Sequence, residues 1–106
     1  MEGAAKVFEW DERKRCSNLR RHGLDFADCS TVFSGPTVTR LDDRFDYSEP
    51  RYRTLGLLCG RVVSVAHTED DDGVVRIISL RKAVKHEQAL YFQTIQNQLE
   101  AGRRDS

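Results

Sequence analysis

The chain has 106 residues, enough for one small domain with a modest core. Hydrophobic residues make up 39% and charged residues 32%, and 17 basic side chains balance 17 acidic ones to a formal net charge of zero. That balance rules out bulk charge as an argument for nucleic-acid binding. The composition also holds no apolar stretch long enough for a membrane helix and no N-terminal signal peptide.

Residues 1–6 read as a ragged start. Val7 to Trp10 is a short apolar run, expected as an edge strand. Asp11 is placed to cap a helix reaching about His22, and Gly23 follows where a helix end favours a residue tolerant of positive φ. This helix is crowded with Glu12, Arg13, Lys14, Arg15, Arg20 and Arg21, so a surface position is expected, with few apolar contacts beyond Trp10, Cys16 and Leu19. Asp25 is placed to cap a second, short helix over Phe26 to Phe33, with Ala27, Cys29, Val32 and Phe33 available for burial. Gly35-Pro36 stops it.

Thr37 to Leu41 reads as a strand and Asp42 to Pro50 as a polar loop. Arg51 to Cys59, Arg61 to Glu69 and Val74 to Leu80 read as three further strands. A tight link around Gly60 joins the first two, and Asp70-Asp71-Asp72-Gly73 has the composition of a turn between the last two. Such short connections make the strands antiparallel. A helix is expected from Ala83 to Ala101, packed on the sheet through Val84, Tyr91, Ile95 and Leu99, with residues 102–106 fraying. The expected class is α+β, a single domain over residues 1–106.

The cations gather on the predicted sheet and the start of the last helix. Arg51 and Arg53 open one strand, His67 closes the next, Arg76 interrupts the third, and Arg81, Lys82, Lys85 and His86 follow. Guanidinium groups offer a planar fork of donors suited to phosphate, so a phosphodiester is the substrate class this arrangement fits best. A hairpin centred on Gly60 sets Arg53 across from His67. A second hairpin, centred between Asp71 and Asp72, sets His67 across from Arg76. That register gathers all three on one face, and a one-residue slip sends a member to the other face.

Such a group suits RNA cleavage. The ribose 2′-hydroxyl can attack the adjacent phosphorus without a metal, given a base, an acid and cations to stabilise the transition state. His67 is the candidate acid or base, and neighbouring cations would depress its pKa and favour the base role. Arg53, Arg76, Arg81 and Lys82 are candidate phosphate clamps. Simpler readings compete with these. His67 beside Val63 and Val65 fits a satisfied core histidine, and Arg51 and Arg53 fit ion pairs with Asp42, Asp43 or Asp46. Lys14, Arg20 and Arg21 fit a solvated helix face.

Cys16, Cys29 and Cys59 are odd in number, widely spaced and without a CxxC pair, which supports neither a zinc ribbon nor a disulfide framework. They read as free buried thiols in a reducing cytoplasm. Cys16 and His22 lie six apart on one helix, a poor spacing for one metal ion, so neither a metal site nor a cofactor is expected.

Phe8-Glu9-Trp10-Asp11-Glu12-Arg13-Lys14 and Asn18-Leu19-Arg20-Arg21-His22-Gly23-Leu24-Asp25-Phe26 together resemble the N-terminal signature of BrnT toxins. Ala27 to Phe33, Arg51 to Gly56, Val65 to Glu69 and Arg76 to Ala83 extend the likeness, as do Glu87 and Tyr91, so that it spans about residues 7–92. Each motif alone is weak, but the ordered set is specific. The resemblance implies a RelE-like fold with a short N-terminal strand, two helices, an antiparallel sheet of three to four further strands and a C-terminal helix. It implies a metal-independent endoribonuclease, the toxin of a type II toxin–antitoxin pair, acting on RNA in the cytoplasm to inhibit translation. The implied partner is a BrnA-type ribbon-helix-helix antitoxin, through which alone the complex meets operator DNA.

On that reading Arg53, His67, Arg76, Arg81 and Lys82 are the candidate catalytic residues, and Lys14, His22, Arg51, Lys85 and His86 the candidate RNA contacts. Gln88, Ala89 and Leu90 depart from the family by standing where basic residues are frequent. Two other readings remain open: a non-catalytic module that binds its partner in an autorepressing complex, or a toxin that blocks its target by binding. Arg53, His67 and Arg76 scattered over different faces would count against an enzyme.

Overall fold

The computed structural model describes residues 6–43 and 48–104. The expected ragged start up to residue 5, the part of the polar loop that holds Asp46, and the last two residues lie outside that range. β1, Val7–Trp10, leads through Asp11 into α1, Glu12–His22. Asp11 caps this helix by accepting from the Arg13 and Lys14 amides at 2.8 and 3.3 Å. Gly23 ends it at φ 70, a left-handed conformation that costs glycine nothing.

Asp25 caps a 3₁₀ turn, Phe26–Asp28, which runs on into α2, Cys29–Ser34. Arg15 reaches across from α1 to grip both Asp25 oxygens at 2.8 and 2.9 Å, and these hydrogen bonds draw the Asp25 carboxyl down to about 2. The two helical segments are thereby pinned together.

β2, Val38–Asp42, β3, Arg51–Leu58, β4, Arg61–Glu69, and β5, Val74–Lys82, follow, and α3, Lys85–Arg104, completes the order. The five strands form one sheet in the order β1-β5-β4-β3-β2. β2 to β5 pair antiparallel as expected, and β1 joins the far edge parallel to β5.

Both hairpins differ by one residue from the expected register. Leu58 pairs with Arg61, leaving Cys59 and Gly60 as a two-residue turn at φ 53 and 78. Two positive φ values belong to the turn type whose twist matches that of the strands. The second turn is held by the Asp70 side chain, which accepts from the Asp72 and Val74 amides at 2.9 Å each, and Glu69 then pairs with Val75. His67 therefore faces Tyr52 and Ile77 across the ladder, whereas Arg53 faces Ala66 and Arg76 faces Thr68.

A bulge follows. Ala66 pairs with Ser79 while His67 pairs with Ile77, so Ile78 is an extra residue in β5. Arg76 and Arg81 are an odd number of residues apart, and a regular strand would send them to opposite faces. The bulge returns both to one face, while Val75, Ile77 and Leu80 all turn toward the core.

That core lies between one sheet face and the N-terminal helices. Phe26, Cys29 and Val32 meet Leu58, Val63, Val65, Val75, Ile77 and Leu80. Gly56 allows the closest approach, since a Cβ there would stand 2.7 Å from Val32 Cγ1. Beyond the end of β1, the Asn18 carboxamide takes the place of a neighbouring strand for β5. It donates to Leu80 O at 2.8 Å and accepts from Leu80 N at 3.1 Å, and it donates as well to Leu24 O at 3.0 Å. On the other face, Tyr91 of α3 packs with Val38, Leu55, Val62 and Ala83.

Several packing expectations are corrected. Val84 precedes the helix and is exposed, Leu99 is 62% exposed, and the helix begins at Lys85 and extends to Arg104 rather than spanning Ala83 to Ala101. The helix outruns the sheet, so its distal turns have little to pack on. Leu19 is exposed, and the buried side chain of α1 is Asn18. Only Cys29 is a buried thiol; Cys16 and Cys59 are exposed.

Candidate functional site

Strand alternation and the bulge place Arg53, Ser64, Thr68, Arg76 and Arg81 on the sheet face opposite the helical core, with Arg40 and Arg51. Arg40 and Arg53 stand directly across from each other in β2 and β3. Like charges so placed repel, and an anion between them would relieve that repulsion. Arg53 donates to Ser64 Oγ at 2.7 Å and lies 3.9 Å from an Asp42 oxygen, so the ion pair expected from the simpler reading is also present.

Arg81 holds Glu87 with two parallel hydrogen bonds of 2.8 and 3.1 Å, joining β5 to the first turn of α3. Glu87 also accepts from the Val84 amide at 3.0 Å. Burial pushes the Glu87 carboxyl up, but the Arg81 hydrogen bonds, the Val84 amide and the charges of Arg81 and Arg53 outweigh it, and the net direction is down. Glu87 is thus an anchored anion. It orients a guanidinium rather than accepting a proton.

Two clefts open on this face. One, of about 280 Å³, is lined by Val38, Arg40, Arg53, Leu55, His86, Glu87 and Leu90. The other, of about 150 Å³, brings Lys14 of α1 together with Arg51, Thr68 and Arg76, and Ser48, Glu49 and Ile78 complete it. Arg76 donates to Glu9 at 2.8 Å in an exposed pair.

His67 is not among these residues. It lies on the core side of the sheet, 2% exposed, with Nε2 at 2.7 Å from Thr54 Oγ1. Phe33 meets its ring edge-on at 5.3 Å and Tyr52 stacks at 5.9 Å. Burial drives its pKa down to about 4, against the opposing pull of Glu69, so the ring is neutral near pH 7. The grouping of Arg53, His67 and Arg76 expected from sequence is therefore corrected. The sheet separates the imidazole from both arginines, which counts against a catalytic set built on those three.

The other candidates divide. Lys14, Arg51 and His86 line the clefts with the arginines. Lys82 pairs in register with Val63 and opens a separate recess with Gly60, Arg61, Gln88 and Phe92. His22 ends α1 exposed, and Lys85 begins α3 exposed; neither lines the two arginine clefts. Arg40 and Ser64 were missed by sequence reasoning. Ser64 carries no signal of its own, and Arg40 becomes notable only once the β2–β3 register sets it against Arg53. Among the described residues, no three His, Cys, Asp or Glu side chains converge as a metal site requires, and no helix is long and apolar enough to cross a membrane.

A family model described as the ribonuclease toxin BrnT of type II toxin–antitoxin systems matches residues 10–87. A crystal structure of the Brucella abortus ribonuclease toxin BrnT is similar at 27% sequence identity and a TM-score of 0.55, covering 77% of this chain and 100% of that one. No curated protein matches the sequence.

Proposed function

The chain belongs to the BrnT family of ribonuclease toxins of type II toxin–antitoxin systems, and from that membership we propose that it is a metal-independent endoribonuclease whose active surface is the arginine-bearing sheet face. The observation that carries this reading is the bulge at Ile78, which sets Arg76 and Arg81 on the same face as Arg53. Three guanidinium groups on a rigid sheet, with Lys14 and Arg51 beside one of them, suit a phosphodiester whose charge grows in the transition state.

The chemistry follows from the groups at hand. The ribose 2′-oxygen attacks the adjacent phosphorus and its proton passes to a base. The bond to the 5′-oxygen breaks, and that oxygen takes up a proton. A 2′,3′-cyclic phosphate and a 5′-hydroxyl end result. His86, in the cleft with Arg40 and Arg53, is the imidazole in place to move those protons. Arg53, oriented by Ser64, and Arg81, oriented by Glu87, stabilise the phosphorane charge. Lys14, Arg51 and Arg76 hold the neighbouring phosphate.

In the cell this activity inhibits translation from the cytoplasm. A type II toxin has a protein antitoxin. We take that partner to be of the BrnA ribbon-helix-helix kind, which contacts operator DNA on behalf of the complex. The overall architecture of helices flanking an antiparallel sheet, with a C-terminal helix, is read as RelE-like. The purified chain should cleave RNA in the presence of a chelator, and primer extension on RNA from expressing cells should reveal the cut positions. Growth arrest with intact RNA would instead favour a toxin that acts by binding its target.

A further inference from the structure

A further recess lies away from the arginine face. A cleft of about 400 Å³ opens on the opposite side of the sheet, lined by Lys6, Phe33, Thr37, Thr39, Tyr52, His67, Glu69 and Asp70. It lies at the end of the sheet that also carries Arg51 and Arg76, because Tyr52 adjoins Arg51 on β3 and His67 adjoins Thr68 on β4. From this geometry we propose that the cleft binds a nucleobase of single-stranded RNA, with guanine preferred, while the phosphates stay on the arginine face. The identity of the ligand rests on the ribonuclease reading; the existence of the recess does not.

Three features argue for a base. Its size falls in the range of small-molecule sites. Its walls carry the rings of Phe33, Tyr52 and His67, and stacking on aromatic side chains is the common way to hold an unpaired base. Its polar groups are joined beneath the surface. Thr39 Oγ1 lies 2.7 Å from Thr54 Oγ1, which lies 2.7 Å from His67 Nε2.

That relay ends at an imperfectly paired atom. His67 Nδ1 is buried and makes no well-aligned hydrogen bond among the described residues, although the Thr68 backbone interacts with the ring. Buried polar atoms are nearly always paired, so an imperfectly paired one beside a recess is a place where a ligand group or a water can bond. The imidazole is neutral near pH 7, so it does not call for an anion.

The charge at the mouth selects the kind of base. Glu69 and Asp70 outnumber Lys6; Asp70 Oδ1 already accepts the turn amides, so Glu69, with Lys6 3.5 Å away, is the carboxylate offered to a ligand. A net negative lining disfavours phosphate and favours a ligand that donates hydrogen bonds. Guanine presents N1–H and N2–H side by side, a pair of donors matched to one carboxylate, whereas adenine and the pyrimidines lack that pairing.

Nucleosides carry no phosphate and so test the recess apart from the cationic face. Guanosine, adenosine, cytidine and uridine should be titrated into the full chain by NMR, with RNA cleavage assayed on the same preparations. Guanosine should shift Thr39, Tyr52 and His67 resonances and bind about tenfold or more tightly than the other three. Glu69→Gln and Thr39→Val alter exposed side chains, so each should fold, and each should weaken guanosine binding by a similar factor. Failure of guanosine to bind a preparation that still cleaves RNA overturns the base site and spares the ribonuclease. Guanosine binding without cleavage upholds the site and removes the ribonuclease reading. Equal binding of all four nucleosides, unaffected by Glu69→Gln, overturns the guanine preference.

Discussion

Arg81 and Glu87 are joined by two parallel hydrogen bonds, 2.8 and 3.1 Å long, that fasten the last turn of strand β5 to the first turn of helix α3. The arrangement fixes the plane of a guanidinium on the arginine-bearing face and at the same time closes the helix start through the Val84 amide. Glu87→Gln keeps the shape and removes the charge. It should cost about 1–3 kcal/mol of stability, because Arg81 loses a charge-assisted partner at a largely buried position. RNA cleavage should fall by more than the folded fraction does.

The pH dependence of that loss has a definite sign. The Glu87 carboxyl lies below its ordinary value of 4.5 in the folded chain, since the Arg81 and Val84 bonds override the upward push of burial. Its contribution is therefore complete above 4.5 and disappears as pH falls through the lower folded value. Urea melts from neutral pH downward should show wild type and Glu87→Gln converging in acid. Parallel curves would remove the ion pair from the stability argument.

His67 gives a dependence of the same sign, at higher pH and from a different cause. Burial lowers it from 6.5 to about 4, with Lys6 adding a little and Glu69 opposing. Between those values the unfolded chain binds a proton that the folded chain refuses. Stability should therefore rise with pH across that window, by roughly 2–3 kcal/mol in all. His67→Gln should flatten the slope in the same window, as read from thermal melts in matched buffers. An unchanged slope would assign the acid sensitivity to other groups.

The sequence carries the fold more clearly than the site. Asp11, Gly23 and Asp25 mark the helix ends because capping is a local transaction between a side chain and the next few amides. The strands are equally legible from their β-branched runs. Register is not, since Cys59-Gly60 and the Asp70 turn decide it by one residue, and one residue exchanges the two faces. Nothing in Arg76-Ile77-Ile78-Ser79 announces a bulge. Yet the bulge is what reunites Arg76 with Arg81, while the two turn registers leave His67 on the other face. Asn18 shows the same limit: its polarity points to a surface, but its carboxamide is buried as a substitute strand for Leu80.

Arg76 offers the cleanest separation of activity from stability. Its pair with Glu9 is exposed on both sides, and such pairs contribute about 0–1 kcal/mol. Arg76→Ala should melt within a few degrees of wild type, yet expression without antitoxin should no longer stop growth, and cleavage in vitro should drop about 10²-fold. A folded Arg76→Ala chain that is as toxic as wild type would exclude this guanidinium from the mechanism.

Cys59 occupies the first position of the β3–β4 turn at φ 53, where an ordinary side chain is strained, and it is followed by Gly60 at φ 78. Asparagine tolerates this conformation better, and Asn-Gly is a favoured pair for the turn type. Cys59→Asn should therefore stabilise the chain by about 0.5–1 kcal/mol and remove an exposed thiol without touching the arginine face. Because this turn sets the pairing of Arg53 with Ala66 rather than with His67, a more rigid turn should leave RNA cleavage intact while raising the melting temperature. A variant that melts higher but cleaves RNA more slowly would mean that the β3–β4 hairpin must flex during the reaction, and the rigid sheet face invoked for catalysis would have to be given up.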